Sequence, residues 1–511
     1  MKLANLLEST SLGQTYGSTD VNVNAINDDS RQVEKGTLFV AIKGVKTDAH
    51  MFIPQVIKEK ASVIVGEIEP KKDWLKKITY VKVTNSRLAL SILASAWYGY
   101  PSKSLKVIGV TGTKGKTTVA HVLYWLLKNA GKSVGLVSSI SARIADKELD
   151  TGFHVTNPEP LALQKFLSHM VGADCEYAVL EVTSHGLDQE RVAGINFEMG
   201  ILTNITHEHL DYHKTFDAYK EAKAKLFKSV NTAILNKDDE SFDFIKKTLR
   251  QTTQLLTYSL KSKADYTASP LHLNEAMRFA VNIGKEKYKI TSNLVGRYNA
   301  LNLLAAIAAA RRLDISWESI QQTLASLPQL PGRLEKVEND KGINIYIDFA
   351  HTPDSLENVL MLLRKRHKGR VISIFGCAGE RDVLKRPMMG KISVKLADAS
   401  IFTAEDPRSE DVNKIIREIL KGAKKTNAKE IELNQYDDSN HRSRKRVYIR
   451  IPERGEAISF AIQKLAEKDD VVVIFGKGHE KSMVYNGVEY DWSDKEAVEV
   501  ALKGGVKEII R

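Results

Sequence analysis

The sequence predicts an α/β protein of three domains: a small N-terminal α/β domain and two larger ones built on mainly parallel sheets. Three observations carry this. The chain has 511 residues, more than a single core accommodates, so several domains of roughly 100 to 200 residues are expected. Short apolar runs alternate with helical patterns from about residue 21 onward, which is the pattern of parallel sheets covered by helices. Breaker clusters at Tyr100-Pro101-Ser102-Lys103 and at Leu330-Pro331-Gly332-Arg333 divide the chain into segments 1–104, 105–330 and 331–511.

The first segment is a small α/β domain, with strands expected at 37–42 and 61–65 and a helix at 86–98. Two polar triplets, Asp29-Ser30-Arg31 and Asp48-Ala49-His50, flank its strands. Such triplets hold a sugar phosphate or serve as turn and cap residues, and the second reading is favoured on the residues alone.

The second segment opens on Lys106-Val-Ile-Gly-Val-Thr-Gly-Thr-Lys-Gly-Lys-Thr-Thr118, an apolar strand that stops in a glycine turn and passes into a helix. Backbone N–H groups in such a turn point at anionic oxygens, a lysine neutralises them, and a hydroxyl at the helix start can ligate Mg²⁺. The domain is therefore P-loop-like. The common spacing places a glycine at position 110, where this chain has Val110; what fits is Gly112-x-x-Gly115-Lys116-Thr117. A helix is expected from Thr117 to Ala130, with Val119, Val122, Leu123, Leu126 and Leu127 on one face. Further strands are expected at 178–182, 200–203 and 232–235.

Ligands of parallel sheets gather at the carboxyl ends of the strands. There the chain places Glu181, followed by Thr183-Ser184-His185-Gly186, and then Asn204-Ile-Thr-His-Glu-His-Leu-Asp-Tyr-His213, with three histidines and two acids in ten residues. A buried carboxylate needs a partner, which a Mg²⁺-nucleotide supplies; Mg²⁺ takes few protein ligands, so one histidine at the metal is expected. A helix over 219–227 carries Lys220, Lys223 and Lys225, which by pattern alone read as a solvated face. Asn299 and Asn302, three apart on the next alanine-rich helix, either read a base edge or sit in solvent.

The third segment repeats the alternation, with strands at 343–348, 371–375, 400–403 and 471–475. Polar residues follow every one: Asp348-Phe-Ala-His351, Gly376-Cys-Ala-Gly-Glu-Arg381-Asp382, Glu405-Asp406-Pro407-Arg408 and Gly476-Lys-Gly-His-Glu480. Four sets at one sheet edge predict a cleft.

Composition narrows the class. Apolar residues at 43% and charged residues at 27% are those of a globular protein, not a disordered or fibrous one. Two distant cysteines fit a reducing compartment, and no apolar run approaches the roughly 18 residues of a membrane span, so the cytoplasm is expected. The net charge of +12 is dispersed. Its one dense basic run, Arg442, Arg444, Lys445 and Arg446, lacks aromatic interleaving and is expected to be a solvated loop, with no nucleic-acid partner.

Together these motifs resemble the Mur ligase family over nearly the whole chain. Thr111-Gly-Thr-Lys-Gly-Lys-Thr-Thr118 is similar to the family's ATP loop, with Lys114 where asparagine is usual. Glu181-Val-Thr-Ser-His-Gly-Leu187 with Gln189 and Arg191, Thr206-His-Glu-His-Leu-Asp-Tyr-His213 with Glu208 for the common aspartate, Tyr219-x-x-Ala-Lys223-x-x-Leu-Phe227, Lys385-Arg-Pro387 and Gly476-Lys-Gly-His-Glu480 match further family segments. The last is characteristic of the branch that adds the third residue of the peptidoglycan precursor peptide.

The resemblance implies a Rossmann-like C-terminal domain that binds the amino acid and an N-terminal domain that binds a UDP-sugar. It implies ATP-dependent phosphorylation of the UDP-N-acetylmuramoyl-L-alanyl-D-glutamate carboxylate, with an amine attacking the acyl phosphate. Gly112, Thr113, Lys114, Gly115, Lys116, Thr117, Thr118, Asn302 and Arg333 are then ATP contacts. Thr117, Glu181, His209 and a carbamylated Lys223 would hold two Mg²⁺ ions, and Asp348 and His351 would close over the nucleotide. Ser30, Arg31, Thr156, Asn157, Ser184, Gln189 and Arg191 would meet the UDP-sugar-peptide. Arg381, Glu405, Asp406, Pro407, Arg408, Gly476 and Glu480 would meet the diamino acid. Family members specific for meso-diaminopimelate commonly carry Asp-Asn-Pro-Arg. Here Arg408 is kept, which favours diaminopimelate, while Glu405 and Asp406 add charge that suits L-lysine. A monomer is expected. Two other readings stay open: a folylpolyglutamate synthase-like ligase, which lacks the leading domain, and an ATP-binding regulator that kept the fold without the activity.

Overall fold

The computed structural model describes residues 1–8, 12–44, 47–145, 147–149, 156–273, 276–433 and 446–509. Arg442, Arg444 and Lys445 of the basic run lie outside the described residues. The chain divides into two compact units, one of Met1–Leu271, Arg278–Thr291 and Arg297–Ala325, the other of His272–Met277, Ser292–Gly296 and Ser326–Arg511.

The first unit begins with a five-stranded sheet. Its parallel strands Ala25–Asn27, Thr37–Val40, Val63–Gly66 and Thr79–Val83 are joined at one edge by the antiparallel Gly13–Tyr16. Alternate residues leave the sheet on opposite sides, and both sides are covered. Leu38, Val40, Val63 and Val65 pack with Leu90 and Leu93 of the helix Ser86–Trp97, whereas Phe39, Ile64 and Tyr80 pack with Ile53 and Val56. Each fully buried side chain of this kind contributes roughly 1.5–3 kcal/mol. Asn85 sets the start of the long helix by accepting the Leu88 amide at 3.0 Å.

A second sheet follows in the same unit. Seven of its strands are parallel, in the spatial order Tyr266–Ala268, Gln254–Ser259, Thr232–Asn236, Phe197–Leu202, Lys106–Thr111, Tyr177–Glu181, Val134–Val137. Their near-continuous Val, Ile, Leu and Ala content is what strands buried on both faces require. The expectation of a mainly parallel sheet leaves out its margins: Tyr266–Ala268 pairs antiparallel with the strand that follows through Thr267–Asn282 and Ala268–Val281. Ala142–Ile144 and Lys147–Leu149 add antiparallel strands at the other edge. The helix expected over 219–227 starts earlier, at Phe216, because Thr215 accepts the Ala218 amide at 3.1 Å; it ends at Ala224 and tightens into a 3₁₀ turn over Lys225–Lys228.

The second unit holds a seven-stranded sheet, parallel apart from its first strand Glu335–Val337. Asn344–Asp348, Val471–Phe475, Val371–Phe375 and Ala399–Phe402 lie side by side in that order. Parallel pairing puts their carboxyl ends, and the four polar sets after them, along one edge. A hairpin that the pattern did not announce, Ser482–Tyr485 with Val488–Asp491, lies beside that edge. Among the described residues no helix is long and apolar enough to cross a membrane. Cys175 and Cys377 are free and buried.

Candidate active site

The glycine turn at 112–115 is clamped by the neighbouring strand end. The Thr113 amide donates to the Asn204 carbonyl at 2.7 Å. The Lys114 amide donates to Asn204 Oδ1 at 3.0 Å, and its carbonyl accepts from Thr203 Oγ1 at 2.7 Å and Asn204 Nδ2 at 2.9 Å. A Cβ at Gly112 would stand 1.8 Å from Thr203 Oγ1, and its φ is 149°, so the turn tolerates glycine alone here. Lys116 opens the helix Lys116–Asn129 and curls back to the Thr113 carbonyl at 2.9 Å. Thr203 and Asn204 are structural partners of the loop that the motif spacing by itself does not reveal.

Thr117, one residue into the helix, meets Glu181 at the end of the adjacent strand. Its hydroxyl lies 3.1 and 3.0 Å from the two carboxylate oxygens, and the Ser139 amide donates to Oε2 at 3.0 Å. Glu181 is 2% exposed. Asn157 braces the same strand end from below: Nδ2 donates to the Glu181 carbonyl at 2.7 Å, and Oδ1 accepts from the Thr183 amide and hydroxyl at 2.8 Å each. Thr183 in turn caps the short helix Ser184–Asp188 through the Gly186 amide. The Asn157 side chain is thereby engaged with the protein. Thr156 precedes it in a bend. Ser184 Oγ is buried without a hydrogen-bond partner among the described residues.

The histidine segment contributes a ring cluster. His209 adopts a left-handed φ of 57°, and its ring stands 4.9 Å from that of His185, which is 4.3 Å from Tyr212 and 5.6 Å from His213. Burial, then the neighbouring His185, Lys116 and Lys223 against the pull of Glu208, brings the His209 pKa down to about 3. A neutral imidazole with an available lone pair results.

Lys223 departs from the solvated-face reading of its helix: it is 1% exposed. Its amine donates to the Gly112 carbonyl at 2.7 Å and lies 4.6 Å from the Tyr219 ring centre. Burial, then Lys116, pushes its pKa well below the ordinary lysine range, against Glu208 and Glu181. Lys220 by contrast pairs with Asp217 near the surface, and Lys225 with Glu190. Tyr219 ties this helix to the loop through a 2.9 Å contact with the Thr113 hydroxyl.

Arg191 is held by three groups: the Asn157 carbonyl at 2.7 Å, Gln189 Oε1 at 2.9 Å and Glu159 at 2.8 Å. Gln189 also reaches the Tyr212 hydroxyl at 3.2 Å. The turn beyond is seated on the first sheet's helix, where Ser91 Oγ accepts the Gly194 amide at 2.9 Å. The triplets at the first sheet's edge are turn-forming: Asp29 accepts the Arg31 amide at 3.0 Å and Asp48 the His50 amide at 3.0 Å. Ser30 sits in the first of these turns, and the Arg31 side chain is 84% exposed beside Asp29. Asn299 and Asn302 are buried, not solvated, and joined by a 3.0 Å hydrogen bond.

In the second unit Asp348 is buried and accepts the Leu334 amide at 2.6 Å and the Ala350 amide at 2.8 Å. Burial raises its pKa, with Arg333 opposing. Arg333 lies over the Phe349 ring at 4.8 Å, and His351 Nδ1 is 2.9 Å from the Phe349 carbonyl. The next strand ends bring Glu405 and Asp406, both buried. Asp406 Oδ1 accepts the Val484 amide at 2.7 Å, so the hairpin at 482–485 supports this turn; Arg408, with φ 56°, sends its side chain past Asp406 at 3.5 Å. Glu405 Oε2 is buried with no hydrogen-bond partner among the described residues. Pro407 accepts the Glu410 amide at 3.0 Å. Gly476 donates to the Asp348 carbonyl at 3.1 Å, Glu480 pairs with the buried Lys477 at 2.5 Å, and Arg381 is exposed.

Comparison with known proteins adds to this geometry. Residues 110–310 match the family described as Mur ligase middle domain, 332–478 the Mur ligase glutamate ligase domain, and 22–98 the Mur ligase family catalytic domain. A UDP-N-acetylmuramoyl-L-alanyl-D-glutamate–2,6-diaminopimelate ligase of Clostridium acetobutylicum is 38% identical over 506 residues, covering 98% of this chain and 99% of the relative. One of the same name from Parabacteroides distasonis is 37% identical over 97% of this chain and 98% of its own. Among solved structures, one of a UDP-N-acetylmuramoyl-L-alanyl-D-glutamate–2,6-diaminopimelate ligase superposes with a TM-score of 0.65 at 28% identity, covering 99% of both chains. A MurF ligase of Thermotoga maritima in complex with ADP shares the fold, with a TM-score of 0.59 at 19% identity over 94% of this chain and 97% of that one.

Proposed function

The chain belongs to the Mur ligase family, and from that membership we propose that it is an ATP-dependent, ADP-forming amide ligase joining meso-diaminopimelate to UDP-N-acetylmuramoyl-L-alanyl-D-glutamate. The observation that carries the reading is the convergence on one loop of Lys116, the Thr117–Glu181 pair and a buried Lys223 bonded to Gly112. A phosphate turn needs no buried lysine behind it; a site for two anions reacting with each other needs several tunable charges.

The residues do their work by position and charge. Acceptor carboxylate and γ-phosphate repel, so binding both in register, away from water, accounts for much of the rate. Lys116 and the backbone amides of 115–118, where the turn passes into the helix Lys116–Asn129, bind the phosphates. Arg191, fixed by Gln189 and Glu159, and Ser184, with its open hydroxyl, orient the dipeptide end of the UDP-sugar substrate, and Ser30 and Arg31 its nucleotide end. Thr117, Glu181 and the neutral His209 form an oxygen-and-imidazole donor set that fits Mg²⁺. Bound there, the ion would offset phosphate charge. Burial lowers the Lys223 pKa and so favours the uncharged amine, the form that captures CO₂, and the resulting carbamate would make this position anionic. Asn302 is assigned to nucleotide binding within the first unit, and Arg333, Asp348 and His351 are assigned the same class of ligand within the second, on the family resemblance alone.

The incoming diamino acid is assigned to the second unit. Arg408 offers a planar fork for a carboxylate, with Arg381 nearby in sequence on the adjoining loop. The unpartnered Glu405 oxygen, beside Asp406, is set to accept an ammonium group. Gly476 and Glu480 complete the assigned edge. Two free cysteines and the proposed nucleotide-sugar substrate support a cytoplasmic reaction.

Phosphate release measured with ATP, the UDP-muramoyl-dipeptide and a panel of amino acids tests the proposal. Turnover is expected with meso-diaminopimelate. Silence with every amine would overturn the ligase reading, and preference for lysine the substrate assignment.

A further inference from the structure

Arg386 is one of two fully buried arginines among the described residues of the second unit, the other being Arg454, and nothing in the proposed chemistry uses it. It lies near the start of the helix Lys385–Leu396 and is 0% exposed. Its guanidinium makes four contacts with three partners. NH2 reaches Glu410 Oε1 at 2.9 Å and the Ala378 carbonyl at 3.0 Å; NH1 reaches Glu410 Oε2 at 3.0 Å and Glu418 Oε2 at 2.7 Å.

These partners belong to different pieces of chain. Ala378 is in the loop after the strand Val371–Phe375, the loop that carries Arg381. Glu410 ends the loop that carries Glu405, Asp406 and Arg408. Glu418 lies on the helix Val412–Ala423. Glu410 also accepts the Glu380 amide at 2.6 Å, the Gly379 amide donates to the Asp406 carbonyl at 2.9 Å, and Ser409 bonds to Glu380. The approach is so close that a Cβ on Gly379 would stand 2.0 Å from the Pro407 carbonyl oxygen. The two loops are one stapled surface, and the staple runs through Arg386 and Glu410.

We propose that the Arg386–Glu410 pair is a positioning device for amine recognition, locking the 376–382 loop to the 405–410 loop so that Arg408 and Glu405 are presented at a fixed separation. The inference rests on assigning the diamino acid to this edge. A diamino acid with charged groups at both ends is selected by the spacing of its partners, and a forked guanidinium bridging two loops holds spacing better than a single-point contact. Glu418 bonds Arg386 at 2.7 Å from the helix Val412–Ala423, outside the sequence of both loops.

Glu410→Gln and Glu418→Gln each remove one charge facing Arg386 while keeping its shape, and so separate positioning from simple cohesion. For Glu410→Gln, KM for diaminopimelate is expected to rise about tenfold, with KM for ATP and for the UDP-dipeptide within about twofold. Peptides spanning 376–382 and 405–410 are expected to exchange amide hydrogens faster, and Glu418→Gln to show neither change. An unaltered KM for diaminopimelate, equal effects in both variants, or unchanged exchange in Glu410→Gln would overturn the proposal. Should the wild-type protein be silent with diaminopimelate, the proposed function fails, while hydrogen exchange still decides whether the staple exists.

Discussion

The amine of Lys223 donates a hydrogen bond to the carbonyl of Gly112 at 2.7 Å. The buried lysine of the helix Phe216–Ala224 thus sits directly behind the first glycine of the phosphate turn. A lysine kept uncharged in that place is poised for carbamate formation and costs stability if it merely fills space. Lys223→Ala is therefore expected to abolish phosphate release, and added short carboxylates such as acetate to restore part of it. Full activity in the variant would exclude the carbamate role.

Lys114 stands where relatives of this family commonly have asparagine, yet the loop is held at that residue by its backbone, through Thr203 and Asn204. Lys114→Asn should leave those bonds intact. KM for ATP is expected to change by no more than roughly twofold, the scale of an ordinary surface substitution. A change of a hundredfold would show that the ammonium itself contacts the nucleotide.

Asn157 makes three hydrogen bonds to Glu181 and Thr183. Asn157→Ala leaves a buried carbonyl and amide unpaired and is expected to cost about 1–3 kcal/mol in urea unfolding. Were Asn157 a substrate contact alone, stability would hold and KM for the UDP-dipeptide would carry the whole effect.

Hydrogen bonding from Arg386 holds the Glu410 pKa at about 2, against an ordinary 4.5. A depressed carboxylate contributes stability that is complete above the unfolded value and lost as pH falls through the folded one. Glu410→Gln is therefore expected to be less stable than wild type at pH 7, by on the order of 1–3 kcal/mol. The gap should narrow between pH 4.5 and about 2. A gap that stayed constant over this range in thermal melts would mean that the pair contributes through packing and not charge.

Much of the fold was legible because strands buried on both faces read as unbroken apolar runs. Val371–Phe375 and Val471–Phe475 admit one interpretation, and the four polar sets that follow such runs share an edge once the strands are parallel. The antiparallel margins were not legible. Glu286–Ser292 alternates charged and apolar residues with little contrast, and the hairpin 482–491 is short and polar, so neither stands out from a loop. The candidate site divides in the same way. Lys116, Thr117 and Glu181 announce themselves by local chemistry; Ser139 and Thr203 carry no local signal, and Arg386 stands in the Lys385-Arg-Pro387 motif with nothing local to mark its burial.

By itself the sequence determined the central parallel strands, their covering helices and the phosphate turn, which depend on residue spacing and apolar periodicity within a few turns of chain, and its quoted motifs carried the resemblance to the family. The tertiary structure decided which of Lys220, Lys223 and Lys225 is buried, bonded Asn157 to Glu181 and Thr183, and joined Arg386 to Ala378, Glu410 and Glu418. Burial and partnership are properties of segments far apart in the chain, and no local pattern encodes which charges will be removed from water together.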